Sequence, residues 1–473
     1  MPGLDGNNLS RPAFYDWAGP SSIPRVSGRK SGDLHGRRTI EAAGAETFEI
    51  PVATTFRAKG ILPEDHPLSL GMFGYAGHPP AEDCLTSPEL ETLLVVGSSL
   101  NQRDTLSWSA RLKPSRGLAQ VNAWARDLST DFPARYPIVG DVRTALRALA
   151  APEAPWGQAL RRTASDRRAW AETYLKRPRF LDADNLSSDA VPIHPARILG
   201  ELRKALPRDA ALLIDSGAHR AFAGHYFPVN HPYRMFSATG LGPMGWAIAA
   251  SIGVAVALPQ TPIAVVTGDG CMLQNGIEIQ TAGRHGLNIL YVVFNNSALG
   301  NVWLRARKQG DGPRRLTELP THDWAGFASA LGVRGIRIEK PCELAPAFAT
   351  FVEQGGPMLV DALRTGSGDA CRFLGRSPHP SRHLRRVTRW RASRTWKNGL
   401  PRSCGRRRVK CWKNAVCPRS ALRRTHGLPR ALRAPGARNL RALQIRAAAA
   451  GARSRGADGS RWSSAAPSSG RRT

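Results

Sequence analysis

From Leu93 to Asp361, short apolar runs rich in β-branched residues alternate with longer segments of helical period. The pattern predicts strands at Leu93–Gly97, Ala211–Ile214, Ile263–Thr267, Ile289–Phe294 and Met358–Asp361. It predicts helices at Pro195–Leu206, Met244–Leu258, Met272–His285, Trp324–Leu331 and Glu343–Glu353. Such alternation signals βαβ units, whose right-handed crossovers put helices on both faces of a parallel sheet. The polar stretch from Ala151 to Val191, with its Pro and Arg residues, reads as a linker carrying one short helix, and the domain boundary falls near residues 185–193. Residues 1–49 hold little strand-like sequence and read as irregular. No fixed-period repeat is visible, which argues against a solenoid.

The formal net charge of +31 changes this picture only at one end. Ser367 to Thr473 holds 28 Lys and Arg against two acids, Asp369 and Asp458, so residues 1–366 carry a net charge of only +5. The chain therefore reads as a near-neutral globular part and a basic tail. With no Glu, no Tyr and a single Ile at 445, the tail lacks the apolar surface to offset its ordering entropy and is expected to be disordered. Its abrupt onset after Gly366, with Trp and Arg enriched together, is what reading GC-rich DNA out of frame would give. An alternative is a nucleic-acid arm, since Arg with interleaved Trp390, Trp396, Trp412 and Trp462 can pair phosphates and stack bases, although any polycation does so non-specifically. Cys404, Cys411 and Cys417 have spacings unlike a zinc ribbon.

A chain of 473 residues with 42% hydrophobic side chains supports two or three domains with cores of their own. The longest apolar stretch, Ala247 to Leu258, is shorter than the roughly 20 residues a membrane span needs. The first residues have neither a basic region nor an apolar core of a signal peptide, so a cytoplasmic location is expected. None of the seven cysteines forms a C-x-x-C pair, and Cys84, Cys271 and Cys342 read as buried thiols.

Chemistry concentrates in IAVVTGDGCMLQNGIEIQTAGRHGLNILYVVFNN, Ile263 to Asn296. Two buried strands end in Gly-Asp-Gly and Asn-Asn, and in an open parallel sheet both turns fall at the carboxyl ends, where ligands bind. Asp269 and Asn296 offer hard oxygen ligands, and the glycines let backbone N–H groups approach an anion. A magnesium diphosphate suits that combination. The bland alternative is a pair of ordinary turns, since Asp and Asn commonly start them. Gly240-Leu-Gly-Pro-Met-Gly245 also fits the dinucleotide fingerprint, but HPYRMFSAT before it makes a poor buried strand, which weakens an NAD reading.

The pairing of Gly-Asp-Gly with Asn-Asn across one helix resembles the thiamine-diphosphate motif of the acetolactate synthase, pyruvate oxidase and 2-oxoacid decarboxylase superfamily. IPVATTFRAKGILPEDHPLSLGMFGYAG, LLVVGSSLNQRDT and YPIVGD are similar to landmarks of its central domain. IHPARILGELRKALP, ALLIDSGAH, SATGLGPMGWAIAASIGVAVA and GGPMLVDALRT are similar to its cofactor domain. The resemblance covers roughly residues 50–365. It implies two doubly wound α/β domains: a truncated central domain at 50–150, a linker at 151–192, and a domain for thiamine diphosphate and magnesium at 193–366. A disordered tail at 367–473 follows.

The resemblance further implies that Asp269, the Asn296 side chain and the Ala298 carbonyl ligate magnesium. Gly270, Cys271, Leu299 and Gly300 would line the diphosphate, and Gly217 and His219 match the diphosphate-contacting turn. Gly242 and Met244 match the pair that receives the aminopyrimidine. The family acts on small 2-oxo acids and forms homo-oligomers. Some of its members hold FAD against the central domain, but SLNQRDT departs from the flavin-contacting pattern, and the question stays open. Its catalytic glutamate comes from an N-terminal domain of a partner subunit. Only 49 residues precede the first family-like segment here, so that domain is expected to be missing. No catalytic residue is assigned, and little or no turnover is expected of this chain alone.

Overall fold

A computed structural model describes residues 12–15, 40–151 and 155–363 of the chain. All of them lie within one unit, Met1–Trp396. The basic tail, with its expected disorder and its nucleic-acid alternative, lies outside the described residues, as do all of its cysteines. The fold is α/β with two six-stranded sheets, every strand pair parallel.

The first sheet is built from β1 (Pro12–Tyr15), β2 (Val52–Thr54), β3 (Ser69–Met72), β4 (Thr92–Val96), β5 (Gly117–Asn122) and β6 (Tyr136–Val139). Their spatial order is β3-β2-β1-β4-β5-β6, that of a doubly wound nucleotide-binding-type sheet. Residues 1–49 are thus not irregular throughout: β1 pairs with both β2 and β4, and α1 (Ile40–Phe48) precedes β2. A four-residue strand that begins with proline has too little β-branched sequence to stand out, and only its two neighbours define it.

The expected linker is also corrected. It contains two helices, α4 (Pro155–Arg162) and α5 (Ala164–Leu175), after α2 (Pro79–Leu85) and α3 (Val142–Ala150). On α5, Trp170, Ala171 and Tyr174 pack with Leu85 of α2 and Leu70, Leu93 and Leu118 of the sheet. Arg167 is fully buried, and its guanidinium donates to the carbonyls of Phe48 and Leu160. A buried guanidinium read from sequence looks like a solvated one, which hid this segment's role in the core.

The second sheet has the order β11-β12-β10-β9-β7-β8. Its strands are β7 (Ala211–Ile214), β8 (Met235–Phe236), β9 (Ile263–Gly268), β10 (Ile289–Asn295), β11 (Arg334–Ile338) and β12 (Met358–Leu363). Alternate residues of the central strands face opposite layers, as the period of two requires. Leu212, Ile214, Val266 and Val292 pack on α6 (Pro195–Ala205), α7 (His219–Tyr226) and α14 (Leu344–Gln354). Leu213, Val265, Tyr291 and Val293 pack on α8 (Trp246–Ala257), α10 (Ile279–His285) and α13 (Trp324–Ala330).

The single helix expected at Met272–His285 is broken. α9 (Asp269–Asn275) ends in a 3-10 turn at Gly276–Glu278 before α10 resumes. Asn275, at φ −134°, leaves the helical region beside Gly276, whose helix propensity is low. Cys342 is exposed, against expectation, whereas Cys84 and Cys271 are buried. Among the described residues, no helix is long and apolar enough to cross a membrane.

The two sheets meet through buried polar groups that hydrogen-bond one another and the backbone. His78 Nδ1 accepts from the Met72 N–H at 2.8 Å, so its Nε2–H donates to the His225 carbonyl, also at 2.8 Å. His225 Nε2 in turn accepts from the Leu181 N–H. A buried Lys59–Glu64 pair at 2.6 Å lies beside them, and Glu64 also accepts from the Val229 N–H.

Candidate functional site

Strand β9 delivers Asp269 to its carboxyl end, and the neighbouring β10 delivers Asn295 and Asn296 to the same edge. The two asparagines divide the work because successive side chains point to opposite sides. Asn295 is buried and donates from Nδ2 to Asp361 Oδ1 at 2.9 Å and to the His322 carbonyl at 3.0 Å, anchoring β10 to β12 and the following loop. Asn296 lines the cavity.

Asp269 is 3% exposed, and its carboxylate gathers the surrounding backbone. Oδ1 accepts from the Gly270 N–H at 2.7 Å, while Oδ2 accepts from the N–H groups of Asn296 at 3.1 Å and Ala298 at 3.2 Å. Ser297 between them sits in the left-handed region at φ 52°, a conformation uncommon for a residue with a Cβ. That turn lets two N–H groups from alternate residues reach one oxygen. Leu299 and Leu319 then pair with Thr317 and Ser297, closing the base of the excursion that holds α11 (Gly300–Ala306) and α12 (Asp311–Arg315).

A cavity of about 200 Å³ opens at these turns. The carboxyl end of β7 supplies Gly217 and His219, that of β9 supplies Asp269, Gly270 and Cys271, and the chain beyond β10 supplies Asn296, Ala298, Leu299 and Gly300. Met244, just before α8, completes the predicted set on its wall. Connections run outward to β8 on one side of β7 and to β10 and β12 on the other, so the cavity lies where the strand order reverses.

Close approach requires the glycines. A Cβ on Gly217 would lie 2.3 Å from the His219 ring, and one on Gly270 would lie 2.7 Å from Leu299 Cδ2. Gly242 is the one predicted residue off the cavity wall. It lies at φ 72°, and a Cβ there would stand 3.5 Å from Ser216 Oγ and 3.6 Å from Arg220 Nη1. Among the described residues of the wall, none is a glutamate.

Asp215, which the sequence reading passed over, organises the opposite side. It is 1% exposed, and its Oδ1 accepts from the N–H groups of Ser216 at 2.8 Å and Gly245 at 2.9 Å. Thr267 Oγ1 donates to its Oδ2 at 3.1 Å. Burial raises the Asp215 pKa, and these three hydrogen bonds oppose the rise. Cys271 Sγ donates to the Ser216 carbonyl at 3.3 Å, and burial, assisted by the Asp215 carboxylate, pushes the thiol up to about 12. A thiol so held stays protonated near neutrality and serves as a small wall residue rather than a nucleophile. Ser216, Ala218, Gly268, Phe294, Asn301 and Val302 also line the cavity without having been singled out. Gly268 and Phe294 read as strand ends, and Ser216 and Ala218 lay inside the quoted Asp-Ser-Gly-Ala-His turn, so proximity to a named motif was the only signal available.

The fold and this edge define an open α/β domain with a ligand cavity at its topological switch point, stacked in sequence behind a second doubly wound domain. Residues 215–362 match the family described as thiamine pyrophosphate enzyme, C-terminal TPP binding domain, and residues 36–149 match thiamine pyrophosphate enzyme, central domain. The chain belongs to the family of thiamine-diphosphate-dependent, acetolactate synthase-like enzymes. It is 29% identical over 330 residues to a probable acetolactate synthase large subunit of Methanocaldococcus jannaschii, covering 67% of this chain and 54% of that protein. It is 29% identical over 312 residues to the acetolactate synthase isozyme 3 large subunit of Escherichia coli K12, covering 65% and 53%. With the acetolactate synthase large subunit of Lactococcus lactis the identity is 26% over 330 residues, covering 68% and 54%. The chain thus spans about half the length of the relatives it matches.

Proposed function

We propose that this chain holds thiamine diphosphate through a magnesium ion in the cavity at the β7, β9 and β10 edge, and that its chemistry belongs with 2-oxo acid decarboxylation and carbon–carbon bond formation. The observation that carries the reading is the convergence of Asp269, Asn296 and Ala298 on one wall, with Asp269 Oδ2 bonded to the backbone of both partners. A carboxylate, a side-chain amide and a main-chain carbonyl form a set of hard oxygen donors. Magnesium prefers such a set in company with phosphate oxygens and water. Among the described residues no three His, Cys, Asp or Glu side chains cluster, which is compatible with a site that uses only one carboxylate. The glycines at 217 and 270 leave the diphosphate room against the backbone, and Met244 supplies an apolar surface for a ring.

Bound there, the cofactor would supply carbanion stabilisation, the step that side chains alone do poorly. This chain's own residues would bind and orient it: Asp269 and Asn296 through the metal, Gly270 and Gly300 through the main chain, and His219 beside Gly217. The wall carries no glutamate to exchange a proton with the pyrimidine, and general acid–base catalysis typically contributes about 10²–10⁴ in rate. We therefore read the chain as a cofactor-binding platform with low turnover on its own. Titration calorimetry with thiamine diphosphate tests this: binding is expected with magnesium, not with excess chelator, and not in Asp269→Ala. Magnesium-independent binding, or binding undiminished in Asp269→Ala, overturns the metal assignment. Acetolactate formed from pyruvate by the isolated chain, above a heat-inactivated control, overturns the low-turnover reading.

A further inference from the structure

Four segments carry the predicted cofactor wall, and a single side chain behind the wall ties three of them together. The first loop follows β7 and presents Ser216, Gly217 and His219. The second precedes α8 and presents Met244. The third is the end of β9 and the turn after it, presenting Gly268, Asp269 and Gly270, and the fourth follows β10 and presents Asn296, Ala298, Leu299 and Gly300. Asp215 accepts one hydrogen bond from each of the first three: from Ser216 N–H at 2.8 Å, from Gly245 N–H at 2.9 Å and from Thr267 Oγ1, near the end of β9, at 3.1 Å. It is absent from the cavity wall itself.

The second loop shows why such a tie matters. Residues 237–245 follow a two-residue edge strand and lead into α8 through Gly245 at φ 81°. Leu241 at its tip is 95% exposed, so packing does little to fix the loop. Hydrogen bonds hold it instead: Ser237 Oγ donates to the Ile214 carbonyl at 2.8 Å, and Arg220 Nη2 donates to the Ala238 carbonyl at 3.3 Å. Arg220 Nε also donates to the Asp215 carbonyl at 3.1 Å, so the arginine and the aspartate brace the two ends of one loop.

We propose that Asp215 is a positioning residue for the cofactor, setting the distance between the loop that carries Met244 and the parts of the diphosphate wall that follow β7 and end β9. The proposal rests on the thiamine-diphosphate reading above. A residue that merely satisfied backbone groups would affect folding stability and leave the affinity of the folded chain unchanged. A positioning residue affects affinity, because misplacement of a preformed site must be reversed on binding.

The test measures thiamine diphosphate affinity, in saturating magnesium, for the full chain and its variants, alongside far-UV circular dichroism. Asp215→Ala removes both carboxylate oxygens and with them all three hydrogen bonds, and is expected to weaken binding by about tenfold or more, which is the scale of one to two lost hydrogen bonds. Asp215→Asn keeps the shape, two acceptor contacts and a group for Thr267, and is expected to restore affinity to within about threefold. If Asp215→Ala does not fold, Thr267→Val carries the test, with an expected loss of about threefold for one contact. Unchanged affinity in folded Asp215→Ala, or in Thr267→Val in its place, overturns the proposal. An unsubstituted chain that takes up no thiamine diphosphate overturns the underlying reading and this role together.

Discussion

The two sheets share strand number, parallel sense and doubly wound layering, yet their carboxyl edges differ in what fills them. In the first sheet, the loops after β4 and β5 are plugged by a side chain. Gln120 is 1% exposed; its Nε2 donates to the Ser98 carbonyl at 2.9 Å and the Asp127 carbonyl at 3.1 Å, and its Oε1 accepts from the Ser129 N–H at 3.0 Å. In the second sheet the corresponding edge is lined in part by Gly217, Gly268 and Gly270; Asp269 and Asp215 tie its segments together without filling the space between them, and a cavity remains. Architecture alone therefore does not make a binding site. What differs is whether a side chain fills the space between the loops or glycines leave their backbone open.

The comparison can be broken most strongly by filling the open edge. Gly270→Val places branched carbon where even a Cβ meets Leu299 at 2.7 Å, and cofactor affinity is expected to fall about 100-fold, as measured by calorimetry. An affinity within a few-fold of the unsubstituted chain would show that the glycine is not part of the cradle.

Unplugging the closed edge is the converse. Gln120→Ala orphans the carbonyls of Ser98 and Asp127 and the N–H of Ser129, and is expected to cost about 2 kcal/mol of stability. Urea denaturation measures that loss, while thiamine diphosphate affinity should stay unchanged. A parallel loss of affinity would mean that the two edges are coupled.

The seam between the sheets predicts a pH dependence. Burial holds the His78 imidazole well below its ordinary value of 6.5, with the nearby Lys59 acting in the same direction. The unfolded chain binds a proton there below about pH 6.5, and the folded chain does not. This contribution is therefore complete above that pH and declines as pH falls toward the depressed value, by up to about 1.4 kcal/mol per pH unit. Thermal midpoints compared at pH 7.5 and 5.5 should show the decline, and equal midpoints would remove His78 from the account.

The smallest effect is expected at the exposed ion pair from Arg208 to Asp65, bonded at 3.0 Å and 2.9 Å. Arg208→Ala should change stability by no more than about 1 kcal/mol, since both side chains are largely solvated. A larger shift in the urea midpoint would mark this contact as structural.

Much of the second domain was legible in the chain itself. β7 runs over the residues the apolar pattern predicts, and β9, β10 and β12 extend the predicted strands by one or two residues, because strands buried on both faces read as unbroken apolar runs. The Gly-Asp-Gly and Asn-Asn turns were legible for the same reason, as polar punctuation closing such runs. Edge strands were not. β11, written Arg-Gly-Ile-Arg-Ile, is half solvated and carries charge, and β8 is two residues long. β1 is recognisable only by its pairing with β2 and β4.

What the amino-acid order determined by itself was the alternation of strand and helix and the position of the oxygen-bearing turns, since both are periodic or local properties of a few consecutive residues. The tertiary structure alone decided that α5 and its buried Arg167 belong to the first core, that Asn275 and Gly276 interrupt a helix, and that Asp215 meets Gly245 and Thr267 from 30 and 52 positions away. These are consequences of backbone segments brought side by side by the sheet, and separations of that length leave no period in a sequence to read.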